Sequence, residues 1–152
     1  MIEAIPCYLF DVDGTLADPA HRQHHLESEP KDWDTYFEAC KDDAPITHMI
    51  SLAQTLISAN QVILFATGRP DRVRVKTQEW LSRHLGITDP RVYMRKDEDH
   101  HDRRDDDIVK EEYLAQIRTD GYKPIMAFED RSIVVAMWRR NGISCAQVAE
   151  AD

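Results

Sequence analysis

Cysteine and glycine are both scarce in this chain of 152 residues, with three of the first and five of the second. Cys7, Cys40 and Cys145 are odd in number, show no CxxC or zinc-ligand spacing and sit in apolar or helical surroundings. A disulfide framework is excluded, and buried, reduced thiols are expected. The glycines (Gly14, Gly68, Gly86, Gly121, Gly142) never fall into GxxxxGK[ST], so ATP-dependent phosphorylation is not expected. No apolar run approaches the roughly 18 residues of a membrane span, and the opening MIEAIPCYLF lacks the basic segment of a secretory signal. A cytoplasmic protein without membrane contact is expected. Positive charge is also in deficit: 19 Lys+Arg against 28 Asp+Glu give a net charge of -9 with histidine neutral. That balance opposes the broad electrostatic footprint of duplex-binding proteins, so any nucleic-acid contact must be local.

The length suits one domain, residues 1–152, and a composition 42% hydrophobic and 31% charged supplies a core. Runs rich in β-formers alternate with segments of helical period, the pattern of an α/β protein with a Rossmann-like parallel sheet flanked by helices. Strands are expected at Ile5 to Phe10, Gln61 to Ala66, Arg91 to Met94, Pro124 to Phe128 and Ile143 to Val148. The recurrence of Ile46, Met49, Ile50, Ala53, Leu56 and Ile57 predicts a helix over Pro45 to Ala59. Val73 to Leu85, Val109 to Ile117 and Ile133 to Trp138 carry the same period and are stopped at or near Gly86, Gly121 and Gly142. Two polar stretches interrupt this rhythm just after a strand, where open α/β sheets place ligands. One is a small cap-like insertion, residues 18–45, holding His21, Arg22, His24, His25 and a short helix over Asp32 to Cys40. The other is the charged loop RKDEDHHDRRDDD, residues 95–107.

The first strand runs into FDVDGTLAD, with Asp11 and Asp13 two apart and Gly14 behind them. Side chains two apart on an extended chain point the same way, so both carboxylates can face one volume at the strand's end. Two like charges there call for a cation, and Mg2+ with oxygen ligands neutralises them while leaving positions for a phosphate. Asp11 then serves as nucleophile and Asp13 as the acid and base that moves the protons. A lone DxD is as often a turn or cap, but the second strand ends at Thr67, Gly68 and Arg69, a hydroxyl, a permissive backbone and a guanidinium suited to phosphate oxygens. Lys110 is expected in the first turn of the third helix, and Glu129 and Asp130 follow the fourth strand.

This order of motifs resembles the haloacid dehalogenase superfamily. More narrowly, Asp11-Val-Asp-Gly-Thr-Leu-Ala, Thr67-Gly-Arg, Arg104-Asp-Asp-Asp-Ile-Val-Lys-Glu-Glu and Asp130-Arg-Ser-Ile-Val-Val-Ala-Met-Trp-Arg-Arg resemble the phosphatase domain of phage polynucleotide kinase-phosphatase. The resemblance implies a Mg2+-dependent phosphomonoesterase with Asp11 as nucleophile, Asp13 as general acid/base, and Thr67 and Lys110 as phosphate ligands. It makes Asp130 a metal ligand beside Asp11, Asp13 and Glu129, and assigns further substrate-binding positions to Arg22, Gly68, Arg69 and Asp106. The family's late pair is normally Asp-Asp, and here it is Glu129-Asp130. The implied substrate is a 3'-phosphate on a nucleic-acid end or nucleotide. A 5'-(deoxy)nucleotidase or other small-molecule phosphatase is the alternative, and a non-catalytic phosphate-binding module the third reading.

Other features carry ordinary explanations. The histidines at 21, 24, 25, 100 and 101 lack an ordered ligand set and are expected to be solvated. Asp97, Asp99 and His101 alternate like a calcium loop but lack its glycine and terminal glutamate. Asp105 to Asp107 suit a helix N-terminus. Trp33, Tyr36 and Phe37 share one helical face, which packing explains more often than base stacking. Trp138 is expected in the core, and Arg22 to fold over the phosphate and clamp it.

Overall fold

Alternation in the opening strand sets the architecture. Along β1 (Ile5–Phe10), Cys7 and Leu9 point into one buried cluster while Tyr8 and Phe10 point into another. A strand buried on both faces needs a layer of helices on each side. In the computed structural model, which describes residues 2–97 and 102–152, that layering is present. After β1 come β2 (Ala17–Asp18), α1 (Trp33–Glu38), β3 (Ala44–Pro45), α2 (Thr47–Ser58), β4 (Val62–Pro70), α3 (Arg74–Leu85), β5 (Val92–Arg95), α4 (Asp106–Thr119), β6 (Tyr122–Arg131), α5 (Ser132–Arg140) and β7 (Ser144–Ala151). The main sheet has the order β5-β4-β1-β6-β7, and every pairing is parallel. From β1 the chain builds outward through β4 and β5, then returns to add β6 and β7. This makes the carboxyl end of β1 a topological switch point, where ligand crevices form.

Val109, Leu114 and Ile117 of α4 and Val134, Met137 and Trp138 of α5 cover one sheet face; Met49 and Ala53 of α2 and Trp80 and Leu81 of α3 cover the other. Burying each large apolar side chain stabilises the fold by about 1.5–3 kcal/mol. Trp138 lies in the core as expected, and Cys7, Cys40 and Cys145 are buried free thiols. Among the described residues no helix is long and apolar enough to cross a membrane.

The short strands β2 and β3 pair antiparallel, Ala17 with Pro45 and Asp18 with Ala44. They join the two ends of the insertion, which holds 3-10 turns at Ala20–Leu26 and Ala39–Asp42 around α1. Pro45 therefore belongs to this neck, and α2 starts two residues later than the periodicity predicts. Strands β4 and β6 also run past their hydrophobic stretches, through Thr67-Gly68-Arg69 and Glu129-Asp130-Arg131, because their neighbours keep pairing there: Pro70 with Arg95, and Arg131 with Ala151. The calcium-like pattern at Asp99 and His101, and His100, fall outside the described residues.

Candidate active site

As β1 ends, the Asp11 N–H still donates to the Phe128 carbonyl at 3.1 Å, which holds the residue against β6. The chain then turns tightly, with the N–H groups of Thr15, Leu16 and Ala17 all donating to the Val12 carbonyl. Buried Val12 points into the core, and the two flanking carboxylates are left at the sheet edge.

Their surroundings differ sharply. Asp11 is buried; its Oδ1 accepts from Lys110 Nζ at 2.8 Å and its Oδ2 from Thr15 Oγ1 at 3.1 Å. Burial and the Glu129 charge outweigh Lys110 and push Asp11 up to about 7. Asp13 keeps 24% of its side chain exposed and is gripped by Arg69 Nη2 at 2.6 Å and Arg22 Nη2 at 2.7 Å. Burial alone would raise its pKa, but the two guanidiniums prevail and hold it below the ordinary carboxylate range. The two carboxylates thus answer to different partners, Asp11 to Lys110 and Glu129 and Asp13 to the two arginines.

Lys110 lies on α4, which starts at Asp106, so it opens the second turn and not the first. It is 1% exposed and bridges Asp11 to Glu129 Oε2 at 2.8 Å. Burial opposes its charge, yet Asp11, Glu129 and Asp106 more than compensate and hold its pKa above the ordinary lysine value. The other Glu129 oxygen accepts from the N–H groups of Asp130 and Arg131, at 3.1 and 3.3 Å. Asp130 is pushed up to about 7 by burial and by the Asp11 charge, and its Oδ1 is buried with no hydrogen-bond partner.

Asp11, Glu129 and Asp130 offer oxygens within 4.8 Å of one another, a set suited to a hard divalent cation. The orphaned Asp130 oxygen is the strongest sign of fit, because an unsatisfied buried acceptor is costly. Gly14 makes room for that carboxylate: at φ +83°, a Cβ on it would sit 2.1 Å from Asp130 Oδ2. The carboxylate of Asp13, expected among the metal ligands, is not in the group because the arginines hold it elsewhere.

Thr67 is buried at the end of the adjoining strand. Its Oγ1 accepts from Arg69 N at 3.2 Å, leaving its hydrogen to point elsewhere. On the Cα side of Gly68 lies Asp106, whose Oδ1 would be 2.5 Å from a Cβ there, so only glycine fits at this position. Asp106 accepts from Arg95 Nη2 and Arg131 Nη1, each at 2.6 Å, so its oxygens tie β5 and β6 to the start of α4.

Arg22, expected to fold over the phosphate and clamp it, is fully buried in the insertion. It donates to Asp43 through Nε and Nη2 at 2.9 and 2.8 Å and lies 4.3 Å from the Tyr36 ring centre. Asp43, which sequence reasoning did not single out, also accepts from Arg69 Nη2 at 3.1 Å. His21 is exposed, but its Nε2 lies 2.7 Å from Asp43 Oδ1, so it has a specific partner where solvation alone was expected.

Residues 5–152 match the sequence model of the polynucleotide kinase PNKP phosphatase domain. The chain belongs to this family. A protein of Autographa californica nuclear polyhedrosis virus, named as a bifunctional polynucleotide kinase/RNA ligase, is 25% identical to this PNKP-type phosphatase domain over 131 residues, 86% of the chain and 17% of the viral protein. A chain of the Pnkp1/Rnl/Hen1 RNA repair complex superposes with a TM-score of 0.80 at 23% identity, covering 98% of this chain and 44% of that one. The class C acid phosphatase from Bacillus anthracis superposes with a TM-score of 0.65 at 15% identity over 88% of this chain and 54% of that one. The domain therefore spans under two thirds of each of these relatives, and its α/β fold is that of haloacid dehalogenase-like hydrolases.

Proposed function

We propose that the chain is a Mg2+-dependent phosphomonoesterase that removes 3'-phosphate from nucleic-acid ends or nucleotides through an aspartyl-phosphate on Asp11. The observation that carries this reading is the buried Asp11–Lys110–Glu129 bridge standing beside the unpartnered oxygen of Asp130. Asp11 and Asp130 would hold the metal, with Glu129 fixing Lys110 next to them. Bound there, Mg2+ supplies positive charge that keeps the nucleophile ionised and offsets the charge on the phosphate oxygens.

The chain's own groups account for the rest. A carboxylate oxygen of Asp11 attacks phosphorus while Lys110 and the free Thr67 hydroxyl hydrogen bind the non-bridging oxygens. Asp13 stands at the more open side, where the ester oxygen departs. Before substrate binds, its arginines keep it ionised. An arriving phosphate dianion adds negative charge beside it and raises its pKa, so that it takes up the proton it then gives to the leaving oxygen. Once ionised again, Asp13 draws a proton from the water that attacks the aspartyl-phosphate, releasing phosphate and restoring Asp11. Arg22 and Arg69, tied together by Asp43, hold Asp13 in register through both steps.

The 3'-end preference rests on family membership and on relatives named for polynucleotide kinase, RNA ligase and RNA repair. The net charge of -9 favours the competing reading, a small phosphate ester, since a long polyanion is repelled except near local cations. Initial rates with a 3'-phosphorylated oligonucleotide, 3'-dNMP, 5'-dNMP and a sugar phosphate, with and without Mg2+, decide between them. Mg2+-dependent release fastest from 3'-phosphates, absent in Asp11→Asn, is expected. Faster turnover of 5'-dNMP or sugar phosphate overturns the 3'-end assignment, and full activity with chelator overturns the metal.

A further inference from the structure

Helix α3 turns mostly apolar side chains to the core, yet two groups with polar atoms on that face, Thr77 and Trp80, are fully buried. Three residues apart, they lie one above the other on the helix. Buried polar atoms need partners, and theirs lead to the arginine clamp around Asp13. Thr77 Oγ1 accepts from Arg69 Nη1 at 3.0 Å, and the Trp80 indole N–H donates to the Asp43 carbonyl at 2.9 Å.

A guanidinium is a rigid planar fork, so fixing two of its nitrogens also fixes the third. In Arg69, Nε lies 3.2 Å from both Asp13 oxygens, and Nη2 lies 2.6 Å from Asp13 Oδ1 and 3.1 Å from Asp43 Oδ2. That leaves Nη1 for Thr77. The choice of a hydroxyl matters. A neutral acceptor steers the plane of the guanidinium without cancelling its charge, whereas a carboxylate there would weaken its pull on Asp13. In the mechanism above Asp13 gains and loses a proton, and its hold on Arg69 is weakest while it is protonated. The fork must still be aligned when the proton leaves, and Thr77 grips it in both states.

We propose that Thr77 is a positioning residue for proton transfer, its hydroxyl keeping the Arg69 fork aimed at Asp13 throughout the cycle. Trp80, by holding the backbone of Asp43, steadies the other edge of the same fork. This rests on the role given to Asp13 in the phosphatase reading.

Thr77→Val keeps the shape of the side chain and removes the acceptor. Its kcat/KM for 3'-dNMP, whose alkoxide needs a proton to depart, should fall about 10- to 100-fold, the scale of one hydrogen bond to a charged group. For p-nitrophenyl phosphate, whose leaving group departs without a proton, the fall should stay under about three-fold, because general acid catalysis is not called on. Thr77→Ser restores the hydroxyl and should recover most of the loss. Equal losses on the two esters, or no recovery in Thr77→Ser, overturn the positioning role. A second measurement needs no turnover. In heteronuclear NMR spectra the Arg69 Nε–H signal, identified by its absence in Arg69→Lys, should exchange with water faster in Thr77→Val than in wild type or Thr77→Ser, while the slowest backbone N–H groups keep their rates. Equal exchange in all three proteins overturns the proposal whatever the activity. If Thr77→Val does not fold, Thr77→Ala takes its place in both measurements. If wild type hydrolyses neither ester with Mg2+, the phosphatase reading fails instead, and the exchange rates still judge the hold of Thr77 on Arg69.

Discussion

Asp11 and Asp13 stand two residues apart and carry opposite pKa shifts, which burial alone does not produce. The distinction lies in their partners: one lysine shared with a glutamate for the first, two guanidiniums for the second. Asp13→Asn removes the proton carrier but keeps a shape that the arginines accommodate. It should lower kcat about 10²- to 10⁴-fold. Phosphate affinity, measured by competitive inhibition of residual turnover, should stay within a few-fold. An unaltered kcat removes Asp13 from proton transfer. Asp11, Asp13, Thr67, Lys110 and Asp130 were all legible because each sits at a fixed offset from a strand end or on a helix facing one. Asp43 was not, since nothing local separates it from Asp42, and its arginine partners lie 21 and 26 residues away. Arg95 and Arg131 escaped notice likewise: the carboxylate that joins them, Asp106, becomes their partner only through the fold.

At the scale of elements, hydrophobic periodicity located every strand of the main sheet but stopped short on β4, β6 and β7. Its signal ends where polar residues begin, whereas parallel pairing continues through them. Those polar strand ends are where the site is built, so the least predictable part of each strand is the part that matters for chemistry. The turn after β1 offers a direct test. In Gly14→Ala the added methyl meets both an unfavourable positive φ and the Asp130 carboxylate. The backbone penalty is about 1–2 kcal/mol, and displacement of Asp130 should weaken Mg2+ activation further. Mg2+ titration of initial rates should show a raised half-activating concentration. Gly86→Ala makes the control, with a comparable positive φ but open space around it, and should lower Tm while leaving the Mg2+ requirement as it is.

Over the whole molecule, the metal-free site links stability to pH. Asp11 and Asp130 are both pushed from 3.8 up to about 7, so the folded chain binds protons that the unfolded chain has released. Stability is therefore full below about pH 4 as far as this pair is concerned, and declines as pH rises toward about 7. Asp13, shifted the opposite way, is ionised throughout that window and does not add to the decline. In chelator, Tm should fall between pH 5 and about 7.5, and added Mg2+ should raise Tm more at the higher pH, because protons and the cation compete for the same oxygens. A Tm that climbs across this range without metal contradicts the pairing of these carboxylates.

The two-stranded neck at Ala17–Asp18 and Ala44–Pro45 brings both ends of the insertion to one point on the body. By backbone alone, the segment between them is a detachable module, open to replacement by a longer lid or a different recognition surface. Arg22 and Asp43 forbid a clean exchange, since both sit inside it while Arg22 donates to Asp13 and Asp43 accepts from Arg69 on the body. Anyone grafting new specificity onto this scaffold can rewrite the stretch between those anchors, but must transplant the anchors themselves.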